Sequence, residues 1–488
     1  MMKRITSYII AILILMQSIA SFAVDIPGYE GGINNENSYK EVVFLTGEPI
    51  ELEGTLKISI KEKGDTKTEQ YTYKLDNKKV GASLSRTVKL ITTFETNGKQ
   101  TTSKKTLDSY KETFQIGKKK YEVKTEDYQW NQGQVVQDTG LLQFYAGDWS
   151  ARKTYRLDRG REEITVQTIG NLVGYDSPWS ATETQTLQYI MNYENKVTGQ
   201  GAWEGTAVVE TSYNKTKDYN YVENVPNQIS FKGGYILTEK HENTLKYDYD
   251  LPVITEEGKM LWRNIGNGST QIDTNPIITR LNIPALRDIR GLASEKDILL
   301  IASMEGLPLN TTTLGPSTPM SRGDFAKALV GTMDIELPIE EETSRRSSRN
   351  KVEKLPIYID VPKTHRNFKY IEAVSERNIM QGVGKDKFAP DRALTRAETI
   401  TILIRLLGMQ NQAPIKNYTT GFQDDASIPT WAKDHVYMAK QLDIIDNDQY
   451  FYPNRNITKE ETAVILVNFI NYLQTRLMYD FRENILNN

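Results

Sequence analysis

The first half of the chain alternates between apolar and polar positions. Leu56, Ile58 and Ile60 are spaced by polar residues, Gly64-Asp65 interrupts them, and Tyr71, Tyr73 and Leu75 resume the pattern. Val88, Leu90 and Phe94 lead in the same way to Asn97-Gly98, a dipeptide suited to the positive φ angles of a tight hairpin. Phe114 and Ile116 pass through Gly117 to Tyr121 and Val123; Tyr155 and Leu157 pass through Arg159-Gly160 to Ile164 and Val166. Ile229, Phe231, Tyr235 and Leu237 flank Gly233-Gly234. Alternation bounded by turn residues predicts antiparallel strands with one solvated face. Residues 24–280 are therefore expected to form an antiparallel all-β domain, a meander or a sandwich. Lys, Thr and Glu on the wet face oppose edge-to-edge pairing.

Near residue 281 the period becomes 3.6 and the chain repeats itself. "LGPSTPMSRGDFAKALVGTMD" (314–334), "FAPDRALTRAETITILIRLLG" (388–408) and "FYPNRNITKEETAVILVNFIN" (451–471) align without gaps. Pro316, Pro390 and Pro453 each stand six residues before Arg322, Arg396 and Lys459. Asp288, Asp360 and Asp424 precede the same basic positions by 34, 36 and 35 residues. Each gap holds an earlier helix: "EKDILLIASMEG", "FKYIEAVSERNI" and "WAKDHVYMAKQLDI". The pattern predicts three helix–loop–helix copies of roughly 60 residues, each too small to bury its apolar face alone. Copy one covers 281–339, copy two 356–415, and copy three with its tail 416–488. The mixed-charge stretch 340–355 between the first two reads as a solvated linker.

The second helix of each copy starts on a capping box or a close variant. Ser321, Thr395 and Thr458 are N-caps, and Asp324, Glu398 and Glu461 follow three residues later. Ile400, Leu403, Ile404 and Leu407, and Ala463, Leu466, Val467 and Ile470, make the apolar faces; Gly408 and Asn471 are expected to end two of these helices. Arg322, Arg396 and Lys459 are then anomalous. A cation in the first turn opposes the helix dipole, yet it recurs in every copy. It is explained if the cation and the first-turn N–H groups together face an anion; a surface ion pair is the alternative.

Composition narrows the chemistry. The 488 residues include no cysteine, which removes disulfides, thiolate catalysis and thiolate metal sites. His241, His365 and His435 are the only histidines, far apart and outside any metal or nucleophile motif, so no metal and no cofactor is expected. "DNDQ" (446–449) lacks the glycine and glutamate of a calcium loop and reads as a turn. A net charge of −3 argues against nucleic acid. Lys3 and Arg4, the apolar run 8–16 and Ser21-Phe22-Ala23 have the grammar of a secretory signal peptide, residues 1–23. No later run is long enough to span a membrane.

The Asp-Val-Pro at 360–362, the Leu-Thr-Arg-Ala-Glu at 394–398, Phe422-Gln-Asp and Trp431-Ala432 resemble the bacterial S-layer homology (SLH) domain. The resemblance covers about residues 281–475 and does not extend to 24–280. It implies an all-α pseudo-trimer whose grooves bind the secondary polysaccharide of a cell wall, in many members through an acidic pyruvate ketal. It assigns polysaccharide contact to Arg322, Arg396 and Lys459, with Asp288, Asp360 and Asp424 accepting from sugar hydroxyls or, as readily, capping turns. Lys459 lacks the planar fork of arginine. Trp431 has Arg366 and Ser294 at its place in copies two and one, and reads as core more than as a sugar platform. Copy one, with Ser321-Arg322-Gly323-Asp324, departs furthest.

The implied localisation is the cell wall or surface layer, with other surface-layer proteins as further partners. For residues 24–280 two roles are open. One is a displayed structural or interaction domain. The other is a wall-attached glycan hydrolase with a carboxylate pair, for which no spacing singles out candidates. Tryptophans in "AGDWSARKTY" and "GYDSPWSATE" fit packing better than sugar stacking.

Overall fold

Among the residues described by the computed structural model (31–157, 160–196, 202–223, 233–254, 260–338 and 355–485), fifteen strands precede the helices. They are β1 (Ile33–Asn34), β2 (Tyr39–Val43), β3 (Ile50–Lys63), β4 (Thr66–Asn77), β5 (Ala82–Asn97), β6 (Gln100–Ile116), β7 (Lys119–Lys124), β8 (Tyr128–Asp138), β9 (Gln143–Leu157), β10 (Glu162–Asp176), β11 (Ser180–Asn195), β12 (Trp203–Val222), β13 (Gly234–Ile254), β14 (Met260–Asp273) and β15 (Ile277–Asn282). All belong to one sheet, and each pairs antiparallel with neighbours in sequence order, apart from local branching. β7 and β8 follow one another along the edge of β6, and β14 and β15 share the edge of β13. Of the two architectures the alternation allows, this is the meander. The hairpins fall at the expected turns: Lys63 pairs with Thr66 around Gly64-Asp65, and Asn97 with Gln100 around Gly98, whose φ is 63°. Residues 1–30, the linker 340–354, and Ile229 with Phe231 lie outside the described residues.

The sheet curls until its ends meet. β1 lies against β13 and β14; Asn35 Nδ2 donates to the Asp273 carbonyl at 2.9 Å and the Asn275 amide to Glu36 at 3.1 Å. The enclosed core runs from Ile33 to Ile272 and is rich in aromatics, among them Tyr39, Tyr73, Phe114 and Trp149. It also contains charge. Arg86 grips Glu41 with both Nη groups at 2.8 Å and reaches Glu112 with Nε at 2.6 Å. Glu112, 1% exposed, accepts further from Tyr110, Tyr155 and Lys153. Burial alone would raise its pKa, but Arg86, Lys153 and the two phenols outweigh that and hold it well below the carboxylate range. A second cluster joins Glu69 to Lys67, Lys105 and Tyr71.

The helices are α1 (Glu295–Ser303), α2 (Arg322–Thr332), α3 (Phe368–Glu376), α4 (Arg396–Leu407), α5 (Thr430–Gln441), α6 (Lys459–Thr475) and the short α7 (Leu477–Asp480). They pack across copies: α2 on α3, α4 on α5, α6 on α1. Three buried backbone bonds make the ring explicit. Met320 N–H donates to Ile457, Ile457 to Leu394, and Leu394 to Met320, at 2.9, 2.9 and 3.0 Å. Gly408 ends α4 in the left-handed conformation at φ 73°. Asn471 does not end α6, contrary to expectation. Tyr472 and Leu473 extend the apolar stripe into the core, and burial outweighs the local stop signal; the Asn471 side chain instead accepts from Tyr219.

The sheet docks on the C-terminal ends of the helices, where last-turn carbonyls lack intrahelical partners. Trp179 Nε1 donates to Thr332 at 3.0 Å, Thr139 Oγ1 to Leu406 at 2.5 Å and Ser180 Oγ to Leu473 at 2.5 Å. One carbonyl of each of α2, α4 and α6 is thereby capped by a turn of the sheet. The approach is tight: a Cβ on Gly140 would stand 2.6 Å from the Arg377 carbonyl. Leu142, Tyr175, Trp179, Tyr235 and Leu237 share one core with the helices.

Candidate polysaccharide-binding grooves

The caps build the helix starts. Ser321, Thr395 and Thr458 are extended at ψ 158–166° and accept from the amides of Asp324, Glu398 and Glu461. Glu398 and Glu461 complete the box by accepting from the Thr395 and Thr458 amides at 3.0 Å. Asp324 does not; its carboxylate takes Asn367 Nδ2 and Arg366 Nη2 of copy two, both at 2.9 Å.

The basic residues explain themselves one step further on. Arg322 Nε donates to the Phe388 carbonyl at 2.9 Å, Arg396 Nε to Phe451 at 2.9 Å, and Lys459 Nζ to Leu314 at 2.8 Å. Each cation therefore reaches out of its own copy and holds the equivalent residue of the next, closing the ring. Asp288, Asp360 and Asp424 hold the same residues from the other side. They accept from the amides of Leu314 and Gly315, of Phe388 and Ala389, and of Phe451 and Tyr452 at 2.7–3.1 Å. One loop residue per copy has its N–H on an aspartate and its C=O on a cation. The amides also stabilise Asp288 and Asp360 as anions: burial raises their pKa, and the N–H bonds reverse it to a net lowering.

The expectation that first-turn N–H groups face an anion is not met. The Arg322 and Gly323 amides donate to the carbonyls of Arg392 and Pro390, and the Arg396 and Ala397 amides to those of Arg455 and Pro453. The Lys459 and Glu460 amides donate to Thr318 and Pro316. The dipole cost of the cation is offset because the guanidinium crosses a buried junction and finds carbonyls there. Arg322 is 6% exposed, stacks on Phe388 at 4.8 Å, and gives Nη2 to the Gln381 carbonyl at 2.7 Å. Burial lowers its pKa and that of Arg396. The Arg322 Nη1 makes no hydrogen bond to the described residues, and Arg322 is among the residues that line a groove.

That groove, about 300 Å³, runs along α4 from Glu398 to Arg405 and Leu406. Arg322 and Arg392 stand at one end, and Trp431 of α5 forms part of its wall. Arg392 is paired with Glu398 at 2.7 Å. Trp431 is 54% exposed. It is not in the core, where sequence reasoning put it, because Ala432 and Val436 carry the buried face of α5 and leave the indole on the outer side. The equivalent places in the other copies are spent on contacts: Arg366 on Asp324, and Ser294 on Glu460 at 2.6 Å. Arg322 and the open Trp431 line the same copy-two groove. Sequence reasoning missed Arg392 and Arg405. Arg405 was legible in principle, as an exposed charge on the α4 face opposite the apolar stripe.

Comparison with known proteins bears on the C-terminal repeats. Residues 358–400 and 421–463 match the S-layer homology domain. The chain carries SLH repeats. The matched SLH segments begin just before Asp360 and Phe422 and reach Ile400 and Ala463, so they include the cations Arg396 and Lys459 but not Arg322. The chain is 28% identical to the Surface-layer 125 kDa protein of Lysinibacillus sphaericus over 20% of its own length and 8% of that protein. It is 31% identical to an Endoglucanase of Bacillus sp. (strain KSM-635) over 30% of this chain and 14% of the relative. It is 24% identical to Exoglucanase XynX of Acetivibrio thermocellus over 58% and 26% respectively. The chain thus spans about a quarter or less of the length of these relatives. SLH repeats associate the chain with the cell surface and cell wall. No helix of the described residues is long and apolar enough to cross a membrane.

Proposed function

We propose that the protein is moored non-covalently to an anionic, pyruvylated secondary polysaccharide of the cell wall by an SLH pseudo-trimer, and that it displays the β-rich domain outward. Copy one is the third member of the ring; the cyclic bonds among Met320, Leu394 and Ile457 support that reading. The observation that carries the proposal is the copy-two groove, where Arg322, Arg392 and Arg405 surround a cleft walled by an exposed indole. An aromatic face accepts a sugar ring and a guanidinium fork accepts a carboxylate. The grooves of copies one and three lack that combination. Arg322, Arg396 and Lys459, with Asp288, Asp360 and Asp424, act chiefly by holding the loops that shape the grooves. Other surface-layer proteins are further partners of the displayed domain.

The test is sedimentation of the full chain with wall sacculi. It is expected to pellet with sacculi that retain their polysaccharide and to stay in solution with stripped ones. Equal sedimentation with both would overturn the mooring.

The glycan-hydrolase alternative is favoured by the names of the two glucanase relatives. The buried carboxylates Glu41 and Glu112 are poor candidates for its acid and base. Both are committed to Arg86, and the cavity that Glu41 borders measures about 50 Å³, room for a few waters at most and not for a sugar ring. Release of reducing ends from wall glycan by the full chain would support the hydrolase reading.

A further inference from the structure

We infer that the β-rich domain completes the carbohydrate groove, with Lys99 and Arg405 forming a second anion-holding point at the end of the cleft remote from Arg322. This rests on the mooring proposal and adds a role for the displayed domain within it. The groove is not walled by SLH residues alone: Lys99 and Thr139 of the sheet line it beside Arg405 and Leu406. The sheet is fixed there. Thr139 donates to the Leu406 carbonyl, and the neighbouring Gly140 packs against Arg377. Lys99 sits in the two-residue turn between β5 and β6, its carbonyl held by the Asp138 amide at 2.8 Å. Its backbone position relative to α4 is therefore set by hydrogen-bonded structure.

Charge gives the site its chemistry. Lys99 and Arg405 are both exposed, and neither forms an ion pair among the described residues. At the opposite end Arg392 is already paired with Glu398. The remote end thus presents two cations without an ion pair, brought to one groove by the docking of two domains, although Lys99 also borders a second cavity with Asp138, Asp176, Glu336 and Glu376. Such a pair attracts an anion bound by both. A polymer with an acidic group on successive repeat units would place one at Arg322 and another at Lys99 and Arg405, with a ring against Trp431 between them. The ligand class is a polyanionic saccharide, read over more than one unit.

Binding of the full chain to polysaccharide extracted from sacculi, measured by calorimetry at two salt concentrations, tests this. Lys99→Gln is expected to raise Kd roughly threefold to fivefold and to flatten the salt dependence, as loss of one partly screened charge contact would. Lys99→Glu should weaken binding further, and Lys99→Arg should restore it. Lys99 is exposed in a turn and its side chain packs on no core, and unchanged melting of each variant separates lost binding from misfolding. Carbodiimide amidation of the polymer's carboxylates should abolish the Lys99 effect; its persistence would assign the anion to phosphate and leave the two-point reading intact. Tight binding that is equal for wild type and Lys99→Gln overturns the inference while leaving the mooring in place. Absence of binding by wild type overturns both.

Discussion

Arg86→Ala is expected to cost the β-rich domain about 3–5 kcal/mol, because it strands Glu41 without a cation in the core and leaves Glu112 with Lys153 alone. Glu41 would lose both of its 2.8 Å charged bonds, and Glu112 its closest one at 2.6 Å. Against a typical stability of roughly 5–15 kcal/mol this is a large fraction. The urea midpoint of the sheet signal should fall sharply. Replacing the network together, Glu41→Gln, Arg86→Met, Glu112→Gln and Lys153→Met, should recover much of the loss, since apolar or neutral groups carry no ionic desolvation penalty and no buried cation is left unpaired. The pH dependence has a definite sign. The folded-state pKa of Glu112 is depressed below its ordinary 4.5. Its stabilisation is complete above that value and drains away as pH falls from there toward the folded-state pKa. Wild type should therefore lose stability in acid more steeply than the variant with the neutral network. A midpoint unchanged in Arg86→Ala would show that the network is not holding the core.

Arg322→Ala is expected to loosen the helical ring. Two carbonyls, Phe388 and Gln381, lose their donor at a buried junction. At about 1–3 kcal/mol for each unsatisfied group, the helical melting transition at 222 nm should drop by several degrees. Arg322→Lys should retain part of the stability, because Lys459 already performs the single-carbonyl version of the same contact with Leu314. An unchanged transition in Arg322→Ala would mean that the staple is dispensable. The same reasoning governs binding experiments: lost affinity in an arginine variant of this kind confounds the site with the scaffold.

How far these features were legible follows from where the physics is local. Period-two alternation and glycine turns located the hairpins, and threefold recurrence located the ring, because both are written in consecutive residues. The meander was not separable from a sandwich, since the partner of each sheet face is non-local. Alternation also does not say where a strand outruns the core: Ile58 and Ile60 keep the phase of Leu56, yet are 46% and 43% exposed. The buried ion network was legible and overlooked. Lys67 and Glu69 share the parity of Tyr71 and Tyr73, Arg86 that of Leu84 and Val88, and Glu112 that of Tyr110 and Phe114. A charge on the apolar parity of a strand points inward whatever its hydropathy. At the helix starts the recurrence of the cation was a true signal, but its cause is a carbonyl in the next copy, some 55–66 residues away for the two arginines and invisible to spacing. Trp431 was misplaced because aromatic burial was inferred from residue type, when the face of α5 decides it.

The most direct measurement of the central claim is calorimetric binding of extracted wall polysaccharide to the full-length Trp431→Ala variant beside Arg366→Ala, its counterpart at the copy-one groove. The copy-two groove as the mooring site predicts a loss of at least about tenfold in affinity for Trp431→Ala, in keeping with a stacking contact of roughly 1–3 kcal/mol, and near wild-type affinity for Arg366→Ala. Wild-type affinity in Trp431→Ala, with the loss appearing in Arg366→Ala instead, would contradict it.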